Sequence, residues 1–207
     1  MPRSRNALTT TSHALLGLLA LRPWTTYELA KQAQRSLGWF WPRAERKLYD
    51  EPKKLVAAGL ATATEQRTGK RPRTVYAITR EGRSALRAWL DEPPAPPVHE
   101  FEAMVKVFFA DGGTLDQLRA TLHEVERTAT ERLEALHAMI DESRSGPYEF
   151  AGRLPLNALG LRCELDHEQL LVDWARWARS QVDTWRSPTD AAGWDWQAAL
   201  APGGARP

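Results

Sequence analysis

Two clusters of cationic side chains are the first residues whose types and spacing suggest chemistry. Arg43, Arg46 and Lys47 are followed closely by Tyr49, Lys53 and Lys54. Arg67, Lys70, Arg71 and Arg73 crowd the stretch 66–73, which holds no acidic residue. Arginine presents paired donors that match the acceptor edge of guanine, and lysine suits a phosphate as a point charge. Each cation set against a nucleic-acid phosphate releases condensed counterions, so such binding weakens steeply with salt. The plain alternative is a solvated helix face and a charged exposed turn. Other chemistry is weaker. Glu134 with His137, and Glu164 with His167, have the i, i+3 spacing found in di-iron helical bundles, but such sites also need two bridging carboxylates. Surface ion pairing is the expected role, and no metal is expected. Cys163 sits beside Arg162, a neighbour that lowers a thiol pKa, yet a buried, inert thiol is the expectation. As the sole cysteine it excludes an intrachain disulfide and a cysteine-based zinc site. His13, His99 and His123 are scattered. The chain lacks a phosphate-binding loop, a dinucleotide fingerprint, Gly-x-Ser-x-Gly and His-Glu-x-x-His, so neither an enzyme nor a cofactor is expected.

The elements that carry the two clusters follow from the pattern around them. Ser12 can cap a helix with apolar positions Leu15, Leu16, Leu18 and Leu19. Thr25 or Thr26 caps a second, with Tyr27, Leu29, Ala30, Ala33 and Leu37 inward. Pro42 can open a third that carries the first cluster, with Leu48, Leu55 and Val56 inward and Gly59 at its end. Pro52 lies inside it and predicts a kink or a late start. Strands are predicted over 60–65 and 74–79, joined by the basic loop 66–73. Thr79 then caps a fourth helix through Trp89 and Leu90. Three helices followed by a hairpin with a basic tip is the layout of a winged helix-turn-helix. Its short third helix fits the major groove, and its hairpin reaches neighbouring phosphates or the minor groove. Arg43, Arg46 and Lys47 are the expected base readers. Tyr49, Lys53, Lys54, Arg67, Lys70, Arg71 and Arg73 are the expected backbone contacts. Trp24, Trp39 and Trp41 are read as core or interface residues.

Charge separates the two halves of the 207-residue chain. Residues 1–92 hold 17 Lys and Arg against 8 Asp and Glu, and residues 93–207 hold 11 against 18. Only the first half is suited to a polyanion. Four prolines within 93–97 mark the boundary as an extended spacer. The expected organisation is a winged-helix DNA-binding domain over 1–92, a Pro-rich linker over 93–98, a helical dimerisation and effector domain over 99–186, and a flexible tail over 187–207. No apolar run approaches the ~20 residues of a membrane span. Neither a secretory leader nor a membrane partner is expected, and the expected location is the cytoplasm.

The second half reads as a short helix over 100–110 and two long ones. The first long helix, 114–143, carries a ladder of Leu115, Leu118, Leu122, Val125, Ala129, Leu133, Leu136 and Ile140. The second, 156–186, carries Leu161, Leu165, Leu171, Trp174, Ala178 and Trp185 on one side. Such seams pack against other helices, and a homodimer covers what one chain leaves exposed. The expected fold is therefore mainly α with a small β-hairpin wing: an N-terminal winged helix-turn-helix and a C-terminal antiparallel long-helix dimerisation domain.

These residues resemble the PadR family of transcriptional regulators. The likeness rests on the run from Ala14 to Leu21 with Thr26-Tyr27-Glu28-Leu29-Ala30, on Leu48-Tyr49 leading to Ala57-Ala58-Gly59-Leu60, and on Tyr76-Ala77-Ile78-Thr79-Arg80-Glu81-Gly82. It spans roughly 12–90. Thr26 stands where the family commonly has glycine. The acidic helical remainder resembles the dimerisation region of longer members. The resemblance implies a dimeric, sequence-specific repressor on a double-stranded, palindromic operator, released by a small, often aromatic, effector. Aromatic residues near the domain junction, Trp89, Phe101, Phe108, Trp174 and Trp177, are the candidate effector contacts. The rival reading is a helical interaction module whose winged helix binds a protein.

Overall fold

The structure is a computed structural model, and it describes residues 8–41, 45–68, 71–98, 100–145 and 149–200. The chain forms two compact units, Met1–Pro97 and Val98–Pro207. Among the described residues no helix is long and apolar enough to cross a membrane.

The first unit opens with α1 (Thr10–Leu19). Its cap is Thr9, one turn earlier than Ser12. The Thr9 hydroxyl accepts the Ser12 N–H while the Ser12 hydroxyl accepts the Thr9 N–H, so each satisfies an orphan donor. Leu15, Leu16 and Leu19 are fully buried. A two-residue strand, β1 (Trp24–Thr25), leads into α2 (Thr26–Leu37). Thr25 and Glu28 repeat the reciprocal cap. Leu29, Ala30 and Ala33 face inward as expected, whereas Tyr27 is 64% exposed and faces solvent. Tyr27 lies in the first turn at the edge of the buried face, where its side chain reaches solvent.

Helix α3 (Glu45–Ala57) runs through Pro52. Pro52 has no N–H for the Leu48 carbonyl, but its ring is fully buried, so packing offsets the missing bond. Gly59, at φ 72°, ends the helix in the left-handed region, where the Leu60 N–H bonds the Leu55 carbonyl. Strands β2 (Ala61–Thr68) and β3 (Arg71–Ile78) pair antiparallel from Ala61 with Ile78 out to Thr68 with Arg71. The basic stretch expected as a long loop is therefore mostly strand, with Pro72 inside β3 opposite Arg67. The sheet order is β1-β3-β2, with Trp24 opposite Tyr76. That third strand was not predicted, because two residues leave no periodic signal.

Helix α4 (Arg80–Leu90) is capped by Thr79, which accepts the Gly82 N–H and donates to the Gly59 carbonyl. Gly82 lies so close to the chain that a Cβ there would sit 2.1 Å from the Leu60 carbonyl oxygen. The start of α4 is thereby fixed against the exit of α3.

The second unit comprises α5 (Glu102–Phe108), a 3-10 turn over Ala110–Gly112, α6 (Leu115–Ser145), a second 3-10 turn over Ala151–Arg153, α7 (Leu154–Val182) and α8 (Trp196–Ala199). Helices α6 and α7 run antiparallel, as their ion pairs require: Arg119 meets Asp183, Glu126 meets Arg176 and Arg179, and Arg132 meets Glu164 and Glu168. The α6 ladder is buried at Leu118, Leu122, Val125, Ala129 and Leu136. The buried line of α7 differs from the expected one. Glu164, Glu168, Val172, Ala175, Ala178 and Val182 face α6, and of the predicted set only Ala178 is among them. The half-exposed Arg132 pairs with both inward carboxylates from the edge of the seam. Glu164 is accordingly a buried partner of Arg132 and not a surface residue, and Cys163 is exposed where burial was expected. Outward on α7, Leu156, Leu159 and Leu170 are exposed.

Candidate nucleic-acid interface

In the first unit the order α2, α3, then hairpin is held by a small core of Leu15, Leu29, Leu48 and Leu55. Each expected contact residue has a definite standing. Arg43 and Lys70 lie outside the described residues. Arg46 and Lys47 belong to the first turn of α3, and Arg67 and Arg71 to the facing strands of the hairpin, by backbone position. Tyr49 is half-buried. Lys53 and Lys54 are exposed on α3 but engaged, Lys53 with Asp50 at 3.8 Å and Lys54 with Glu51 at 2.9 Å. The hydrogen bond that the Lys54 ammonium donates to the Glu51 carboxylate holds it above its ordinary pKa, so it stays cationic throughout the neutral range. Arg73 is exposed on β3, opposite Gln66. Its field reaches α2: the Glu28 carboxyl is held below the usual range first by the Thr25 hydroxyl, then by the Thr25 backbone N–H, and more weakly by Arg22 and Arg73.

Three features beneath this surface escaped the sequence reading. The Ser12 hydroxyl donates to Glu51, both buried, so the same carboxylate ties α1 to α3 and holds Lys54. The Trp24 indole N–H donates to the Leu18 carbonyl at 2.8 Å, and the Arg22 guanidinium lies 3.5 Å over the Trp24 ring. His13 stacks on Trp89 at 4.7 Å with its Nδ1 against the Thr9 carbonyl, and burial pulls its pKa below the ordinary value. The distances in sequence, 39 residues for Ser12 to Glu51, leave no local pattern to find.

The five aromatic candidates separate. Trp89 belongs to the first unit, stacked on His13. Phe101 and Trp174 form an edge-to-face pair at 6.4 Å in the second unit. Phe108 and Trp177 line a cavity there, together with Trp185 and Trp194, which the sequence reading did not select. Residues 187–200, expected as part of a flexible tail, include Trp194 packed against Trp177 and Trp185. Four tryptophans after residue 176 were the available signal. Among the described residues no cluster of His, Cys, Asp and Glu could hold a metal ion.

A four-helix unit with a three-stranded antiparallel sheet, followed by a long-helix hairpin, defines a winged-helix fold. Residues 15–88 match the model of the transcriptional regulator PadR-like family, and residues 102–183 match the virulence activator alpha C-terminal family. The first unit is thus similar to the PadR-like family of transcriptional regulators. The negative transcriptional regulator PadR of Bacillus subtilis is 33% identical over 100 residues, 47% of this chain and 54% of that protein. A Mycobacterium tuberculosis protein named as a probable transcriptional regulator is 34% identical over 85 residues, 41% of this chain and 45% of that protein. The chain thus spans about half the length of the curated relatives it matches. The crystal structure of Bacillus subtilis PadR with operator DNA superposes with a TM-score of 0.73 at 23% identity, covering 84% of this chain and all of that one. The same protein with p-coumaric acid gives 0.68 at 24% identity, covering 84% and 99%. The matched family and relatives are regulators of transcription, not enzymes.

Proposed function

We propose that this chain is a homodimeric, sequence-specific DNA-binding repressor of the cytoplasm, released from a palindromic operator by a small aromatic effector. The observation that carries the reading is the winged unit's charge: its 17 basic residues against 8 acidic ones belong to the half that holds the helix-turn-helix and hairpin, while the helical half is acidic. In this reading Arg43, together with Arg46 and Lys47 in the first turn of α3, reads bases. Arg67, Arg71 and Arg73 on the hairpin strands grip phosphates with Lys70, assisted by Tyr49, Lys53 and Lys54. Tyr27 and Lys31, exposed one turn apart on α2, are further backbone contacts that the sequence reading did not include. The names of the relatives support repression and operator binding, and the p-coumaric acid complex supports an effector. Dimerisation is supported by Leu156, Leu159 and Leu170, an apolar line on α7 that its own chain leaves uncovered.

The test is selection from sheared genomic DNA by the full chain. Fragments retained against random competitor should share a two-fold motif, with half-sites about one helical turn apart. Retention without a shared motif would leave the winged helix as a protein-binding module instead.

A further inference from the structure

The segment that follows α7 lies beyond the residues that match a family, which end at 183. It is closely built all the same. Asp190 is its hub. The Asp190 carbonyl accepts the Arg186 N–H at 2.9 Å, and the Asp190 N–H donates to the Ser187 carbonyl and hydroxyl. Its carboxylate accepts the Ala192 N–H at 3.1 Å and lies 3.6 Å from the Arg186 guanidinium. A tight turn comes next, closed by the Trp194 N–H on the Ala191 carbonyl at 3.0 Å. The turn delivers the Trp194 ring to within 6.3 Å of Trp177 and 5.4 Å of Trp185. Pro188 and Trp194 thereby wall one side of a cavity of about 400 Å³, with Leu118 and Leu122 of α6 and Ala178 and Val182 of α7 on other sides.

This closed arrangement carries two costs. Ala192 has φ 50° and Gly193 has φ 80°, the pair of positive angles that a type I′ turn requires. Glycine adopts such an angle freely, whereas the Cβ of alanine crowds the following carbonyl oxygen. Among the described residues Ala192 is the only non-glycine residue with a positive φ. The second cost is at Trp185. Its Nε1–H is buried with no hydrogen-bond partner among the described residues, although indole N–H groups in an interior are normally satisfied. The apolar contact of Trp194 with Trp177 and Trp185 offsets both. A strained turn persists only where its surroundings hold it, and here Trp194 is the side chain that does so.

We propose that residues 186–195 are a strap with two states. In the closed state Trp194 is seated as in the structure. In the lifted state Trp194 is withdrawn, Ala192 relaxes to a negative φ, and water reaches the Trp185 N–H. Lifting removes one wall of the cavity and leaves a groove between the N-terminal end of α6 and the C-terminal end of α7. The strap lifts while both long helices stay folded, as a local opening. The device belongs to the second unit alone and does not depend on the regulator reading above.

The experiment is hydrogen exchange of the full chain at neutral pH, without urea and in low urea, read by mass spectrometry. Peptides over 186–195 should exchange faster than peptides over 118–136 of α6, yet slower than unprotected chain. Their protection should be almost insensitive to urea, because a local opening exposes little surface. Ala192→Gly relieves the strain and should slow exchange over 186–190 about threefold. Trp194→Ala should speed it at least about tenfold and leave 118–136 unchanged. If Trp194→Ala disturbs α6 as well, Ala192→Gly decides, since it removes no packed ring. Three results overturn the proposal: exchange of the strap in step with α6 and with the same urea dependence, no protection of the strap in the parent, or an unchanged strap rate in Ala192→Gly.

Discussion

Ser12 closes the cap of α1 and donates to the buried Glu51 carboxylate. Replacing it removes the bond and leaves a buried acceptor to be satisfied elsewhere. Ser12→Ala should lower stability by about 1–3 kcal/mol, read as a shift in the urea midpoint at constant slope. His13 adds a dependence on pH. Burial is the main cause of its lowered pKa, opposed by the Thr9 carbonyl and by Glu92. Its folded pKa therefore lies below 6.5, the value in the unfolded chain. Between those two values the unfolded state holds the proton that the folded state refuses. The stabilisation is complete above pH 6.5 and is lost as pH falls through the folded pKa. His13→Phe should reduce the fall in urea midpoint between about pH 7 and 5.5, compared with the parent over the same range. At this scale the sequence was only partly legible. Caps of the form Thr or Ser followed by a partner three residues on could be read, to within one turn. Ser12 with Glu51, Arg132 with Glu168, and Trp24 with Leu18 are contacts between elements, and local patterns do not encode them.

Elements were more legible than single contacts, and their failures have physical causes. The α6 ladder is buried at Leu118, Leu122, Val125, Ala129 and Leu136 because its apolar spacing continues over about seven turns. The α7 face was not as read, because apolarity alone cannot anticipate that Glu164 and Glu168 face inward and pair with Arg132. Pro52 suggested a disturbed helix, yet its complete burial lets α3 continue. The hairpin was predicted short because Arg67, Arg71 and Pro72 are poor strand signals, while the register with β2 carries the pairing out to Thr68 and Arg71. Part of the candidate interface was thus visible in charge and order, and its geometry was not. The join of hairpin and α4 makes a direct prediction. Gly82→Ala would set a methyl 2.1 Å from the Leu60 carbonyl oxygen, so the first turn of α4 must move. A loss of about 1–3 kcal/mol is expected, with weaker DNA binding where the wing shifts with it. Thermal unfolding and a gel-shift titration of one preparation measure both.

At the scale of the whole molecule, the division of charge and the uncovered apolar line on α7 carry the functional account. If a second copy covers that line, Leu159→Glu with Leu170→Glu should convert a dimer at micromolar concentration to a monomer, read by sedimentation velocity. Operator affinity should fall with it, because two half-sites would then be read by separate chains. The central claim is specific DNA recognition through the wing and α3. Its most direct test is titration of a genome-selected duplex at 50 and 200 mM salt, against excess random DNA, with parent and Arg73→Ala chains. The account predicts competitor-resistant binding by the parent that weakens with salt. For Arg73→Ala it predicts lower affinity for selected and random duplexes alike, and a salt slope shallower by about one. Binding that random DNA displaces fully at both salt concentrations, or an Arg73→Ala slope equal to the parent's, would contradict it.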